Sequence, residues 1–213
     1  MKPAILFDLD GTLLDTLQDL IDSTNATLAH FGYPLRKPEE VRLFVGNGAR
    51  RLFELALPED SSPAAVEEAL AWFKEYYPAH SQIKTKPYDG ILEALEEIRK
   101  EFPVAVVSNK PDVAAKPLCK TYFGDIYAQG ESSACPRKPA PDMVFAAMKA
   151  LGVERCIYVG DSEVDVMTAK NAGVPCLAVL WGFRDKEILV EAGAEHFCEN
   201  TKDLLKLLKA MVL

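Results

Sequence analysis

Histidine is scarce in this chain, and cysteine never falls in a metal-binding spacing. The three histidines, His30, His80 and His196, lie far apart, giving no basis for a His-ligated metal or a Ser/His/Asp triad. The five cysteines, Cys119, Cys135, Cys156, Cys176 and Cys198, are odd in number and never form CxxC. This argues against a disulfide framework and a structural zinc site. Cys156 and Cys176 each open an apolar run and are expected in the core. No apolar stretch approaches the roughly 20 residues that span a bilayer, so no membrane partner is expected. Positive charge is also in deficit: 24 Lys and Arg against 32 Asp and Glu give a net charge of -8. That balance disfavours nucleic acid as a partner, because such binding needs clustered cations on phosphates. Met1-Lys2-Pro3 leads straight into an apolar run, without the apolar core and cleavage site of a signal peptide, so a cytoplasmic location is expected.

What the chain does have is 213 residues with 49% hydrophobic and 26% charged composition, enough for an α/β domain carrying a smaller one. Its most informative run is Ala4-Ile5-Leu6-Phe7-Asp8-Leu9-Asp10-Gly11-Thr12. The apolar part predicts a buried strand, and two carboxylates so close repel unless a cation or a shared proton offsets them. Standing alone, the run also fits an Asp cap followed by a Gly turn. Beyond Thr12 the period turns helical from Leu13 to Leu28, and further helices are predicted from Pro38, over 49–57 and over 63–77. The helical segment closes at Thr85-Lys86-Pro87-Tyr88-Asp89-Gly90, whose Pro and Gly suit a hinge.

From Ile91 helix and strand alternate: helix 91–101, strand 103–107, helix 111–121, strand 125–128, helix 141–151, strand 156–159, helix 163–172 and strand 176–180. Strands apolar on both faces imply a parallel sheet covered by helices. The expected fold is α/β, a Rossmann-like parallel sheet built from 1–15 and 87–213, with 16–86 inserted as a small helical domain. In such a sheet the residues after each strand converge on one edge. That edge collects Asp8 and Asp10, Ser108-Asn109-Lys110, Lys138 between two prolines, and Gly160-Asp161-Ser162-Glu163-Val164-Asp165. Each alone fits a helix cap or a solvated loop charge. Together they supply a nucleophile, an acid/base, hard oxygen ligands and donors to phosphoryl oxygens. If a helix starts at Asp161, then Asp161 and Asp165 share one face of it.

The segments DLDGT, SNK, RKPAPD and GDSEVD, in that order with a helical insertion after the first, resemble the four motifs of the haloacid dehalogenase superfamily. The insertion corresponds to the C1-type cap. The stretches VGNGARRLFELAL, PYDGI, VVSNKP and LWGFRD most resemble phosphoglycolate phosphatases. The resemblance implies Asp8 as a nucleophile forming an aspartyl phosphate and Asp10 as general acid/base. It implies Mg²⁺ held by Asp8, the carbonyl of Asp10, Asp161 and Asp165, with Ser108 and Lys138 on the phosphoryl oxygens. Thr12 and Asn109 would support the loop or the substrate. Gly46-Asn47-Gly48, with Arg50 and Arg51, would form a helix start meeting a substrate carboxylate. The alternative there is a Gly turn with solvated arginines.

The implied substrate is a small anionic phosphorylated metabolite, 2-phosphoglycolate first, handled by a monomer or homodimer. Asp10 speaks for expulsion of an alkoxide, which needs a proton donor, over expulsion of a halide, which does not. A β-phosphoglucomutase-like phosphomutase, a pyrophosphatase, a sugar-phosphate phosphatase or a nucleotidase would keep the same motifs. A non-catalytic phosphate-binding regulatory module is the alternative from another class.

Overall fold

Ala4-Ile5-Leu6-Phe7 has no solvent-exposed residue, because it forms the central strand β1 (Ala4–Phe7) with both faces covered. In the computed structural model, which describes residues 2–133 and 135–212, β1 pairs in parallel with β4 (Val104–Pro111) and β6 (Cys156–Gly160). Short strands β2 (Leu14–Asp15) and β3 (Lys86–Pro87) pair separately, where the chain passes between its two compact units. With β5 (Tyr127–Glu131), β7 (Cys176–Val179) and β8 (His196–Cys198), the six-stranded order is β5-β4-β1-β6-β7-β8. The units are Met1–Leu14 with Pro87–Leu213, and Asp15–Lys86, so Asp15 joins the inserted unit and not the sheet unit as expected.

The helices of the inserted unit are α1 (Leu17–His30), α2 (Pro38–Phe44), α3 (Gly48–Ala56) and α4 (Pro63–His80). Those of the sheet unit are α5 (Ile91–Arg99), α6 (Asp112–Phe123), α7 (Asp142–Leu151), α8 (Glu163–Ala172), α9 (Lys186–Glu191) and α10 (Leu204–Val212). Among the described residues no helix is long and apolar enough to cross a membrane.

The period-2 alternation of the strands feeds two apolar layers. Ile5, Phe7, Val104, Val106, Ile157 and Val159 pack with residues of α5, α6 and α10. Their neighbours Ala4, Leu6, Ala105, Val107, Cys156 and Tyr158 pack with Met143, Val144 and Ala147 of α7. The chain leaves β1 for β4 on one side and returns on the other as β6, so β1 marks the topological switch point where such sheets bind ligands.

Four expectations are corrected. Leu13 lies before α1, which begins at Leu17, while Leu13 and Leu14 join the apolar layer under the sheet. Ser108-Asn109-Lys110 belong to β4 and do not follow it; the register shifts between Val107 and Pro111. The third strand of the alternation is Tyr127–Glu131, beginning beyond Asp125 and Ile126. Cys176 is half-buried, unlike the buried Cys156.

Within the inserted unit the buried carboxylate of Asp19 accepts the N–H groups of Ile83, Lys84 and Thr85 at 3.0, 3.0 and 2.8 Å, fixing the returning chain against α1. A charged acceptor for three backbone donors is hard to replace. Asp19→Ala is therefore expected to lower stability by about 2 kcal/mol, read from the urea midpoint. An unchanged midpoint would mean that water takes over all three donors.

Candidate active site

Three strand ends and one loop build the site. Asp8 is the first residue beyond β1, and its N–H is held by the carbonyl of Val159 at 2.8 Å. Asp161 follows β6 directly, and Asp165 lies in the first turn of α8. Oxygens of Asp8, Asp161 and Asp165 all lie within 4.8 Å of one another, in buried surroundings. Lys138 enters this cluster with its side chain 1% exposed, placing Nζ 2.7 Å from Asp165 Oδ1 and 2.8 Å from Asp8 Oδ1. The contact to Asp8 is a buried ion pair.

The surrounding residues fix these groups. Asn109 grips the backbone of Lys138 from both sides, accepting its N–H at 2.7 Å and donating to its carbonyl at 3.2 Å. Ser162 caps α8 and donates to Asp165 Oδ2 through its hydroxyl at 2.6 Å and its N–H at 3.1 Å. Asp161 therefore precedes the helix and does not share a face of it with Asp165; the turn through Ser162 brings them together. Thr12, fully buried, donates its hydroxyl to Asp161 Oδ1 at 2.9 Å, and the N–H of Phe183 reaches Oδ2 at 2.7 Å. Trp181 Nε1 donates to the carbonyl of Thr12 at 3.0 Å, tying the first and last loops of the site together. Asp161 is also wedged between two glycines. A Cβ at Gly182 would stand 2.2 Å from Asp161 Cβ, and one at Gly11, where φ is +87°, would stand 2.3 Å from Asp161 Oδ2.

Charge is unbalanced here. Three carboxylates against one ammonium leave an excess of two negative charges in a buried cluster. Burial, then the Asp165 charge, pushes Asp8 well above the ordinary carboxylate range, against the pull of Lys138. The same two causes raise Asp161 to about 7, opposed by the Phe183 N–H and the Thr12 hydroxyl. Burial alone would depress Lys138, but Asp165 and Asp8 outweigh it and hold the ammonium charged.

A raised carboxylate means that the folded protein keeps a proton that the unfolded chain has released. The contribution of Asp161 to the stability of metal-free protein is thus complete below about pH 4 and is lost as pH rises through about 7. Added Mg²⁺ is expected to raise Tm more at pH 7.5 than at pH 5, and Asp161→Asn to flatten that difference. Equal metal-induced shifts at both pH values would contradict this.

Asp10 stands apart from the cluster. Its two oxygens lie 3.0 and 3.2 Å from Nζ of Lys110, a buried residue of β4 that the sequence reading did not single out. The signal was its place directly after Ser108 and Asn109 at the same sheet edge. Ser108, 1% exposed, accepts the Lys110 N–H at 3.2 Å. The Phe183 N–H had no signature, since any residue carries one. Arg184, beside it, pairs with both oxygens of Glu163.

In the inserted unit Gly46 and Asn47 precede α3, Asn47 is its N-cap residue, and Gly48 is its first residue. Arg50 projects to the surface and pairs with Glu67 of α4, while Arg51 pairs with Glu54. A substrate carboxylate at Arg50 would share that arginine with Glu67.

Buried carboxylates and a lysine at the switch point of a parallel sheet define an α/β enzyme with an acidic centre whose carboxylates could hold a metal ion. The chain belongs to the haloacid dehalogenase-like hydrolase family, which it matches over residues 5–179. It is 35% identical to phosphoglycolate phosphatase 1 of Pseudomonas aeruginosa over 214 residues, covering 94% of this chain and 78% of that protein. It is 33% identical to a phosphoglycolate phosphatase of Mesorhizobium japonicum over 217 residues, 95% of each chain. A crystal structure described as a candidate phosphoglycolate phosphatase of Lactobacillus delbrueckii subsp. bulgaricus superposes with a TM-score of 0.92 at 36% identity, covering 98% of this chain and 99% of that one.

Proposed function

We propose that the protein is a Mg²⁺-dependent phosphatase that hydrolyses 2-phosphoglycolate through an aspartyl phosphate on Asp8. The observation that carries the chemistry is the buried carboxylate of Asp8, just beyond a strand end, paired with Lys138 and beside two further carboxylates. The relatives named above supply the substrate.

The donor set fits the metal. Its ligands would be carboxylate oxygens of Asp8, Asp161 and Asp165 with the carbonyl of Asp10, hard donors of the kind Mg²⁺ takes, and its two charges match the excess of the cluster. When bound, Mg²⁺ neutralises charge on the phosphoryl group and on the carboxylates around it. Asp8 attacks phosphorus, its oxygen forming the new P–O bond as the bond to the glycolate oxygen breaks. Asp10 gives a proton to that departing oxygen, then takes one from the water that attacks the aspartyl phosphate, releasing inorganic phosphate and restoring Asp8. Lys138 and Ser108 donate to the phosphoryl oxygens, and Asn109 keeps Lys138 in place.

A panel of 2-phosphoglycolate, sugar phosphates, nucleoside monophosphates and pyrophosphate tests the reading. The expected result is the highest kcat/KM for 2-phosphoglycolate, abolished by EDTA and restored by Mg²⁺. Preference for a sugar phosphate or pyrophosphate would withdraw the substrate, and turnover undiminished in EDTA would withdraw the metal.

A further inference from the structure

Lys110 is a buried cation without a part in the mechanism above. Its side chain is 3% exposed, near the end of β4 where the register shifts, a place at which strands re-aim side chains. Nζ faces both oxygens of Asp10, at 3.0 and 3.2 Å, and the Lys110 backbone is anchored to Ser108 Oγ. The Asp10 side chain is itself only 16% exposed.

We infer that Lys110 is a positioning residue, which holds the Asp10 carboxylate where it exchanges protons with the leaving group and with water. This rests on the phosphatase reading. Asp10 sits two residues from Asp8 on the same edge, and a carboxylate there is repelled by the buried negative cluster of Asp8, Asp161 and Asp165. With nothing opposite it, Asp10 would swing towards solvent. A two-oxygen contact from one ammonium sets the position of the carboxylate and offsets its charge. The lysine comes from β4, a different element from the loop that carries Asp10, and its backbone N–H is held by Ser108 of the same strand. Lys138 serves the nucleophile; Lys110 serves the acid/base.

The test separates this role from substrate binding and from bulk stability. Lys110→Met is expected to lower kcat for alkyl phosphates by about tenfold or more with little change in KM. The loss for p-nitrophenyl phosphate, whose leaving group needs no proton, is expected to be several-fold smaller. Lys110→Arg, which keeps the charge, should recover part of the alkyl-phosphate kcat. In an Asp10→Asn background, assayed with p-nitrophenyl phosphate, adding Lys110→Met should bring no further loss. A rise in KM with kcat retained, equal losses across leaving groups, or additive losses in the Asp10→Asn background would each overturn the inference. If wild-type protein turned over no phosphate monoester, the phosphatase reading itself would fail and take this inference with it.

Discussion

Asp8→Asn is expected to remove turnover, by on the order of 10⁴-fold or more, while the melting temperature at pH 7 stays level or rises. The amide keeps the shape of the side chain but is not an anionic nucleophile, so on the proposed mechanism no bond to phosphorus forms. Stability is spared because the wild-type carboxylate is held against its own burial and the Asp165 charge, and an uncharged isostere relieves both. Lys138 retains Asp165 as a partner at 2.7 Å. Steady-state assays beside thermal melts check the pair of outcomes. Wild-type turnover in this variant would end the assignment of Asp8 as nucleophile. A large fall in melting temperature would show that the carboxylate is structural.

Lys138→Met is expected to fail in both respects. Removing the ammonium leaves Asp8, Asp161 and Asp165 buried together with no countercharge from this position, and breaking such a pairing costs about 3 to 5 kcal/mol. Activity is expected to fall as well, through loss of the proposed donor to the phosphoryl oxygens. Lys138→Arg is not expected to rescue either property. The side chain is 1% exposed and its point charge faces two carboxylates at once, a geometry that the longer, planar guanidinium does not reproduce. Urea denaturation at pH 7 in EDTA, repeated with Mg²⁺, measures the loss and how far a divalent cation restores it. An unchanged midpoint in EDTA would contradict the account of the charge excess.

The alternation of helix and strand was legible because parallel strands buried on both faces read as apolar runs, as Ala4–Phe7 and Cys156–Gly160 do. The polar residues at their ends were legible because a sheet edge has no other reason to collect so many. The end of β4 was not, because Ser108-Asn109-Lys110 looks like a loop. It remains strand because its polar groups find partners: Asn109 in the Lys138 backbone, Lys110 in Asp10. The three-residue strand β8 and the six-residue helix α9 are too short to show a period. Arg50 looked available because Glu67, its partner, is on another helix, and sequence spacing shows only partners on the same one.

The position of β1 also bears on how the protein is made. The strand that leads into Asp8 is synthesised before both of its neighbours, since Ile5 pairs with Val104 and Ala4 with Cys156. Both edges of a wholly apolar segment therefore wait for partners that appear after the entire inserted unit has been synthesised. Such long-range parallel pairing slows folding and leaves the nascent chain open to aggregation. It also means that Asp8 meets Lys138, Asp161 and Asp165 only when the sheet closes on both sides of β1. Turnover is thus a late reporter of folding, absent from every intermediate in which β1 lacks either neighbour.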